Sequence, residues 1–259
     1  MDDTYQVYIN RVARMTLPEA YQTQVQYIQP SPKYAPDAAG VIQPAAFPGY
    51  TVITPPWRDD PENAGFYEHL ASYQQQVLEK LPPGLLIPLP AKSFHFTLAD
   101  LIWASAYRHA IQNPEFEPSL HQRVAESFQK VPAQSDQPIQ WQVIGLFLRT
   151  RALGVCLVPK DEASYNRVIE LRRTLYQNSD LIGLGIEQQY DFTAHITLGY
   201  FGEPAADIHR ETLAETLIKL NEWWLETGEQ LIQVQRAELR KFADMTRYHR
   251  EPDWPSFQF

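Results

Sequence analysis

The stretch Asp191–Phe201, DFTAHITLGYF, reads as a strand rich in β-branched and aromatic residues. Side chains two positions apart on a strand share a face. His195 and Thr197 therefore point one way, and Ile196 and Leu198 point the other, into a core. Apolar residues account for themselves in a half-buried strand; a histidine and a threonine on its open face do not. Two readings compete. One is a hydrogen-bonded histidine at the edge of a core. The other is a strand that presents a proton-transfer group and a hydroxyl to a cleft.

A second stretch, Ser93–Leu98 or SFHFTL, favours the cleft. Of the seven histidines, only His95 and His195 have threonine at the second position after them, and leucine follows each threonine. The surroundings match as well. Residues 65–81 place Phe66, Leu70, Tyr73, Val77 and Leu81 at helical spacing, and Pro82-Pro83-Gly84 ends that helix. LLIPLP (85–90) is a short edge piece, because its prolines cannot donate to a ladder. ADLIWASAYRHAIQ (99–112) and PSLHQRVAESFQKV (118–131) are expected as helices. In the second half, IQWQVIGLFLR and LGVCLVP form a hairpin, and Asp161 caps a helix that carries Val168, Leu171 and Leu175 on one face. A helix over 207–226 ends before Gly228, and EQLIQVQRAELRKF is the last strand. Helix, H-x-T-L strand and helix thus occur twice, which predicts two similar lobes. The pair Trp223 and Trp224 reads as rim and core.

Thirteen of the 21 prolines lie in residues 1–90, which separates that end from the rest. Residues 5–15 put Tyr5, Tyr8, Ile9, Val12 and Met15 on one helical face, and Thr16 and Pro18 predict the start of a second helix. The proline-rich run that follows reads as an irregular linker. Residues 1–47 are thus expected as an extension, and residues 48–259 as the main, two-lobed domain. The formal net charge of -9 argues against a broad basic surface tracking a nucleic-acid backbone. One cysteine, Cys156, allows neither an internal disulfide nor a cysteine-rich zinc site, and it is expected to be a buried, inert thiol. No apolar run approaches the length of a membrane span, and the first residues do not read as a signal peptide. A cytoplasmic monomer is the expectation.

The chemistry follows from the residue types. Imidazole titrates near neutrality, so two histidines on opposite sides of a phosphodiester can divide the work. One takes a proton from the attacking oxygen; the other gives one to the leaving oxygen. Thr97 and Thr197, each on the face of its histidine, can donate to non-bridging phosphate oxygens as charge builds there. The scheme calls for no metal and no cofactor. Tyr200, just beyond the second motif, could stack on a base, whereas packing accounts equally well for Phe201. Arg149 and Arg151 flank the hairpin turn and could meet a phosphate. The basic runs 240–242 and 247–250 are read as solvated faces, and His69, His109, His121 and His209 as surface groups on helices.

FHFTL and AHITLGYF resemble the paired signatures of the 2H phosphoesterase superfamily, which includes RNA 2',3'-cyclic phosphodiesterases and 2'-5' RNA ligase-like proteins. The order of elements is similar across roughly residues 48–245. FPGYTVITPP (47–56) resembles a cyanobacterial and fungal branch of that superfamily that carries only a domain-of-unknown-function label. The resemblance implies an α+β, bilobal fold in which two antiparallel sheets face a central cleft with helices outside. It also implies His95 and His195 as acid and base, and Thr97 and Thr197 as phosphate anchors. The implied substrate is a small nucleotide or RNA end carrying a 2',3'-cyclic phosphate or a related 2'-linked phosphodiester. The resemblance leans to His195 as the base, while the residues themselves leave the order open. Two rivals remain: a fold that binds such an end without turnover, and an interaction protein that docks through residues 1–47.

Overall fold

The computed structural model describes residues 2–132, 137–227 and 231–259. In chain order the helices and strands are α1 (Tyr5–Arg14), α2 (Pro18–Gln24), β1 (Tyr34–Pro36), β2 (Ile42–Pro44), β3 (Gly49–Ile53), α3 (Ala64–Lys80), β4 (Leu86–Pro88) and β5 (Thr97–Trp103). There follow α4 (Ala104–Ala110), α5 (Phe116–Gln129), β6 (Ile139–Arg149), β7 (Ala152–Pro159), α6 (Glu162–Tyr176), α7 (Ser179–Gly183) and β8 (His195–Phe201). The chain ends with α8 (Arg210–Glu226), β9 (Leu231–Val234), β10 (Arg236–Asp244), β11 (Arg247–His249) and β12 (Ser256–Gln258).

Two five-stranded sheets make the α+β body. One has the order β11-β10-β3-β5, with β12 also paired to β10; the other has the order β4-β8-β7-β6-β9. Every pairing is antiparallel. The second motif thus lies inside its sheet, and the first lies on an edge strand. The sheets meet behind the motifs in an aromatic core. Phe96, between His95 and Thr97, packs edge-on against Trp141 of β6 at 5.1 Å, and Phe192 meets the same indole at 6.0 Å. Ile196, Leu98 and Leu198 are likewise fully buried, on the faces the alternation assigns them.

The N-terminal segment is tied to both motif strands. Buried Tyr8 donates from its hydroxyl to Leu157 O at 2.8 Å and accepts from the Ala194 amide at 3.1 Å, one residue before His195. Arg11 donates to Phe192 O and Thr193 Oγ1. Asp2 receives a two-pronged bond from buried Arg172, which also donates to Leu98 O on β5. Thr16 does not cap α2. Its hydroxyl donates back to Ala13 O, and Leu17 holds the cap position ahead of Pro18. The supposed linker contains a small hairpin, β1 with β2.

Three expected elements fall differently. Residues 99–103 are strand, and only 104–110 are helix. Pairing with β3 satisfies this backbone and buries Leu101 and Ile102, and Ala104 turns the corner at φ 51. His95 itself precedes the ladder. Thr54 bonds Phe96 through both backbone and hydroxyl, but Pro55 and Pro56 have no N–H with which to extend the pairing. The last strand is two strands in two sheets, β9 and β10, with Gln235 between them; Glu229 and Gln230, like Gly228, lie outside the described residues. Asp161 caps α6 as expected, accepting from the Ser164 amide.

Glycines let the neighbouring strands close on the motifs. A Cβ at Gly154, which sits opposite Thr197, would stand 2.4 Å from Ile196 O. Gly154→Ala is therefore expected to push β7 from β8 and to cost on the order of 1–3 kcal/mol or more, as overpacking does. Urea denaturation measures it; an unchanged midpoint would show that the strands tolerate the separation.

Candidate active site

Each motif strand carries an irregularity at the same place. On β5, Thr97 faces Ile53 and Ala99 faces Val52, so two steps on one strand match one on the other. On β8, Thr197 faces Gly154 and Gly199 faces Leu153, again with one residue in excess. The extra residue is the leucine of H-x-T-L in both. Strict alternation would send the residue three places after each threonine to the opposite face; a bulge re-aims it. Asp100 and Tyr200, at these equivalent positions, line the same cavity as the histidines and threonines.

That cavity has a volume of about 320 Å³, and its wall includes His95, Thr97, His195 and Thr197. Both histidines are half-buried and are held alike. His95 Nδ1 lies 2.8 Å from Ser93 O, and His195 Nδ1 lies 2.7 Å from Thr193 O. A carbonyl only accepts, so Nδ1 carries the proton of the neutral ring in each case. Nε2 is left as the basic nitrogen. The ring of Tyr248 packs edge-on against His95 at 4.2 Å, and that of Phe147 against His195 at 5.4 Å.

Burial sets the protonation of both. Desolvation is the largest influence on His95 and lowers it to about 4; the Ser93 carbonyl opposes this, and the charges of His195 and Arg240 add to it. Desolvation also lowers His195, opposed by the Thr193 carbonyl; Arg149 and Lys33 lower it further, and Asp100 raises it. Both rings are therefore mainly neutral at pH 7. An anion placed between them would favour a proton on one.

Of the other residues singled out in the sequence, Tyr200 and Arg149 line the cavity. Arg151 does not join them. It is exposed at the hairpin turn and reaches Gln29 Oε1 at 3.3 Å. Cys156 is buried, and burial pushes its thiol up to about 12. His121 is no surface group: it packs against Tyr50 and Trp254. Trp224 is core and Trp223 is partly exposed, as read. The two basic runs are not simply solvated either. Arg240 is buried on Glu238 and Asp59, and Phe242 and Tyr248 reach the cavity wall.

Lys33 is the residue that sequence reasoning passed over. Its segment spans the gap between the sheets: the Ser31 amide donates to Phe201 O on β8, and the Phe47 amide donates to Ala243 O on β10. Lys33 and Phe47 thereby enter the cavity wall. The Lys33 ammonium lies 4.8 Å from the ring centres of both Phe47 and Tyr200, and it donates to the Tyr200 hydroxyl at 3.2 Å. Asp100 was hidden in a predicted helix; the Tyr190 hydroxyl donates to its Oδ2 at 2.8 Å. No three His, Cys, Asp or Glu side chains gather into a metal-ligating group among the described residues, nor does any helix among them have the length and apolarity to cross a membrane.

No family model matches the sequence, and no curated protein matches it. Among solved structures, the fold is similar to that of a conserved protein of unknown function from Agrobacterium tumefaciens. The TM-score is 0.60 at 17% identity, over 89% of this chain and 96% of that one. Escherichia coli LigT complexed with 3'-AMP gives a TM-score of 0.47 at 17% identity, over 82% and 98% of the two chains. A protein described as a phosphoesterase gives 0.46 at 19% identity, over 81% and 98%. The first likeness shows a shared fold and nothing further; the other two are weaker.

Tyr248 is one of the groups that keep water from His95. Tyr248→Leu is expected to raise the His95 pKa from about 4 toward the ordinary imidazole value of about 6.5, followed by ring NMR through a pH titration. Because the folded value lies below the unfolded one, this histidine's contribution to stability is complete above about pH 6.5 and is lost as pH falls toward 4. The substitution should therefore also flatten the loss of stability in that window. An unmoved pKa would place the desolvation elsewhere.

Proposed function

We propose that the chain is a phosphodiesterase of the 2H type, which opens a 2',3'-cyclic phosphate or a related 2'-linked phosphodiester on a small nucleotide or RNA end. One observation carries the reading: two H-x-T-L strands from separate sheets line one cavity, with both histidines held at Nδ1 by backbone carbonyls. A histidine fixed in this way keeps Nε2 for proton transfer, and a pair can serve as base and acid in one in-line step.

The step balances with water as nucleophile. One neutral histidine takes a proton from water as its oxygen bonds to phosphorus. The other, protonated as the phosphate anion binds, gives its proton to the ribose oxygen as the P–O bond breaks. The product is a phosphate monoester, and the two rings have exchanged protonation states. Thr97 and Thr197 can donate to the non-bridging oxygens, whose charge grows in the transition state. The resemblance leans to His195 as the base; the protonation of the free rings favours the opposite order, since His95 is lowered to about 4 whereas Asp100 supports a proton on His195.

Hydrolysis of 2',3'-cyclic mononucleotides in excess EDTA tests the reading. Wild type is expected to turn over, and His95→Ala and His195→Ala each to lose at least ~100-fold in kcat, as for loss of a general acid or base. Full activity in either variant would remove that histidine from the chemistry.

The pH profile gives an independent check. The free enzyme holds His95 at about 4 and His195 below its ordinary value, so the singly protonated form is most populated on the acid side. kcat/KM is therefore expected to peak below about pH 6.5. The bound phosphate raises the acid's pKa, so kcat should peak at higher pH. A kcat/KM maximum above pH 8 would contradict the assignment.

A further inference from the structure

We infer that Gln74 and Arg172 are positioning residues that hold the two motif threonines crosswise: each reaches, from the helix that precedes one motif, the leucine carbonyl at the bulge of the other. The inference rests on the phosphodiesterase reading and adds to it two residues that do not line the motif cavity.

The first support is geometry. Gln74 lies on α3, ahead of the first motif, yet its Nε2 donates to Leu198 O of the second at 2.7 Å and to Leu89 O at 2.9 Å. Both partners are carbonyls, which only accept, so it is the amide nitrogen that faces them. Arg172 lies on α6, ahead of the second motif, and its Nη1 donates to Leu98 O of the first at 2.5 Å. The two acceptors occupy equivalent positions, and each belongs to the residue that the strand register skips. A bulged residue is left out of the ladder, so a bond from another element settles how its peptide turns. Thr97 and Thr197 stand just before these peptides, and Asp100 and Tyr200 just after them. All four side chains line the cavity.

The second support is burial and charge. Gln74 is 3% exposed and Arg172 4%, among buried apolar neighbours on their own helices such as Tyr73 and Val77 or Leu171 and Leu175. Glutamine and arginine are rarely so buried, and the cost is large unless their donors are used. The kind of donor also matches each strand. β8 lies inside its sheet, where the Leu89 amide already donates to Leu198 O at 2.9 Å, and a neutral amide suffices as the second donor. β5 is an edge strand, and there a guanidinium covers Leu98 O while Asp2 balances its buried charge. The crossing ties the lobes together: the helix of each lobe sets the phosphate anchor of the other.

The test uses Gln74→Met and Arg172→Met, with Arg172→Lys alongside, and reads two quantities. The first is the threonine methyl signals by NMR, which do not depend on turnover. Gln74→Met is expected to shift the Thr197 methyl and to leave that of Thr97 in place; Arg172→Met should do the reverse. The second is hydrolysis of 2',3'-cyclic mononucleotides, expressed per folded molecule. Each Met variant should lose ~10- to 100-fold in kcat with KM little changed, as when a group that acts in the transition state is displaced. Arg172→Lys keeps a donor for Leu98 O and should recover part of the loss. Full kcat per folded molecule in Gln74→Met overturns the inference, since the glutamine would then serve stability alone. A Thr97 shift in Gln74→Met as large as that of Thr197 overturns the crossed assignment. Unmoved threonine methyls overturn it whether or not the wild type turns over. Arg172→Met leaves Asp2 without its buried partner; if that chain does not fold, Gln74→Met decides alone, because the Leu89 amide still holds Leu198 O. If the wild type hydrolyses no cyclic phosphate and the methyl shifts follow the crossed pattern, the phosphodiesterase reading falls and the crosswise hold on the threonines stands.

Discussion

An extra residue at the motif leucine of each strand is the constraint on which the cavity depends. In a regular strand His, Thr and the residue three places later cannot share a face. The excess at Leu98 and at Leu198 breaks the alternation where the leucine side chain is anchored in the core. The buried leucine fixes the register, the bulge turns the chain beyond it, and Asp100 and Tyr200 join the histidines at one cavity. Gly154 allows the neighbouring strand to approach at this point. Core packing and site geometry are thus one feature of the fold seen from two sides.

The cavity's electrostatics follow from its enclosure. Each histidine is kept in a defined tautomer by a carbonyl two residues before it and is pushed toward neutrality by burial. The segment that supplies the Thr193 carbonyl is itself held from outside the repeat, by Tyr8 and Arg11 of α1, which bind residues 192–194. On the first strand Asp2 holds Arg172 on Leu98 O, just beyond Thr97. The N-terminal residues therefore support the site even though they lie far from it in sequence.

Much of this was legible in the residues. The duplicated H-x-T-L pattern, the helices with clean apolar faces and the β6–β7 hairpin need only local periodicity. What escaped needed tertiary context. Residues 99–103 look helical alone, but β3 offers a ladder and a buried face that decide for strand. Residues 231–244 look like one strand, yet they leave one sheet for the other at Gln235. Lys33 sat in a run whose prolines and glycine suggested a tether, and nothing local says that it bridges two sheets. Tyr248 lay among arginines in a run that read as solvated. Arg151 had the charge for a phosphate site, but the turn points it outward, toward Gln29. A single mark on the sequence, the polar pair at i and i+2 on an apolar strand, located the centre; the rim of the cavity comes from segments that carry no such mark.

The most direct measurement is a crystal structure with a nucleoside–vanadate complex, a stand-in for the five-coordinate phosphorus of the displacement. The account predicts vanadium between the two rings, with Nε2 of His95 and Nε2 of His195 each within about 2.6–3.2 Å of opposite apical oxygens and both threonine hydroxyls on equatorial ones. Vanadate bound away from the four motif residues, or touching only one histidine, would contradict it.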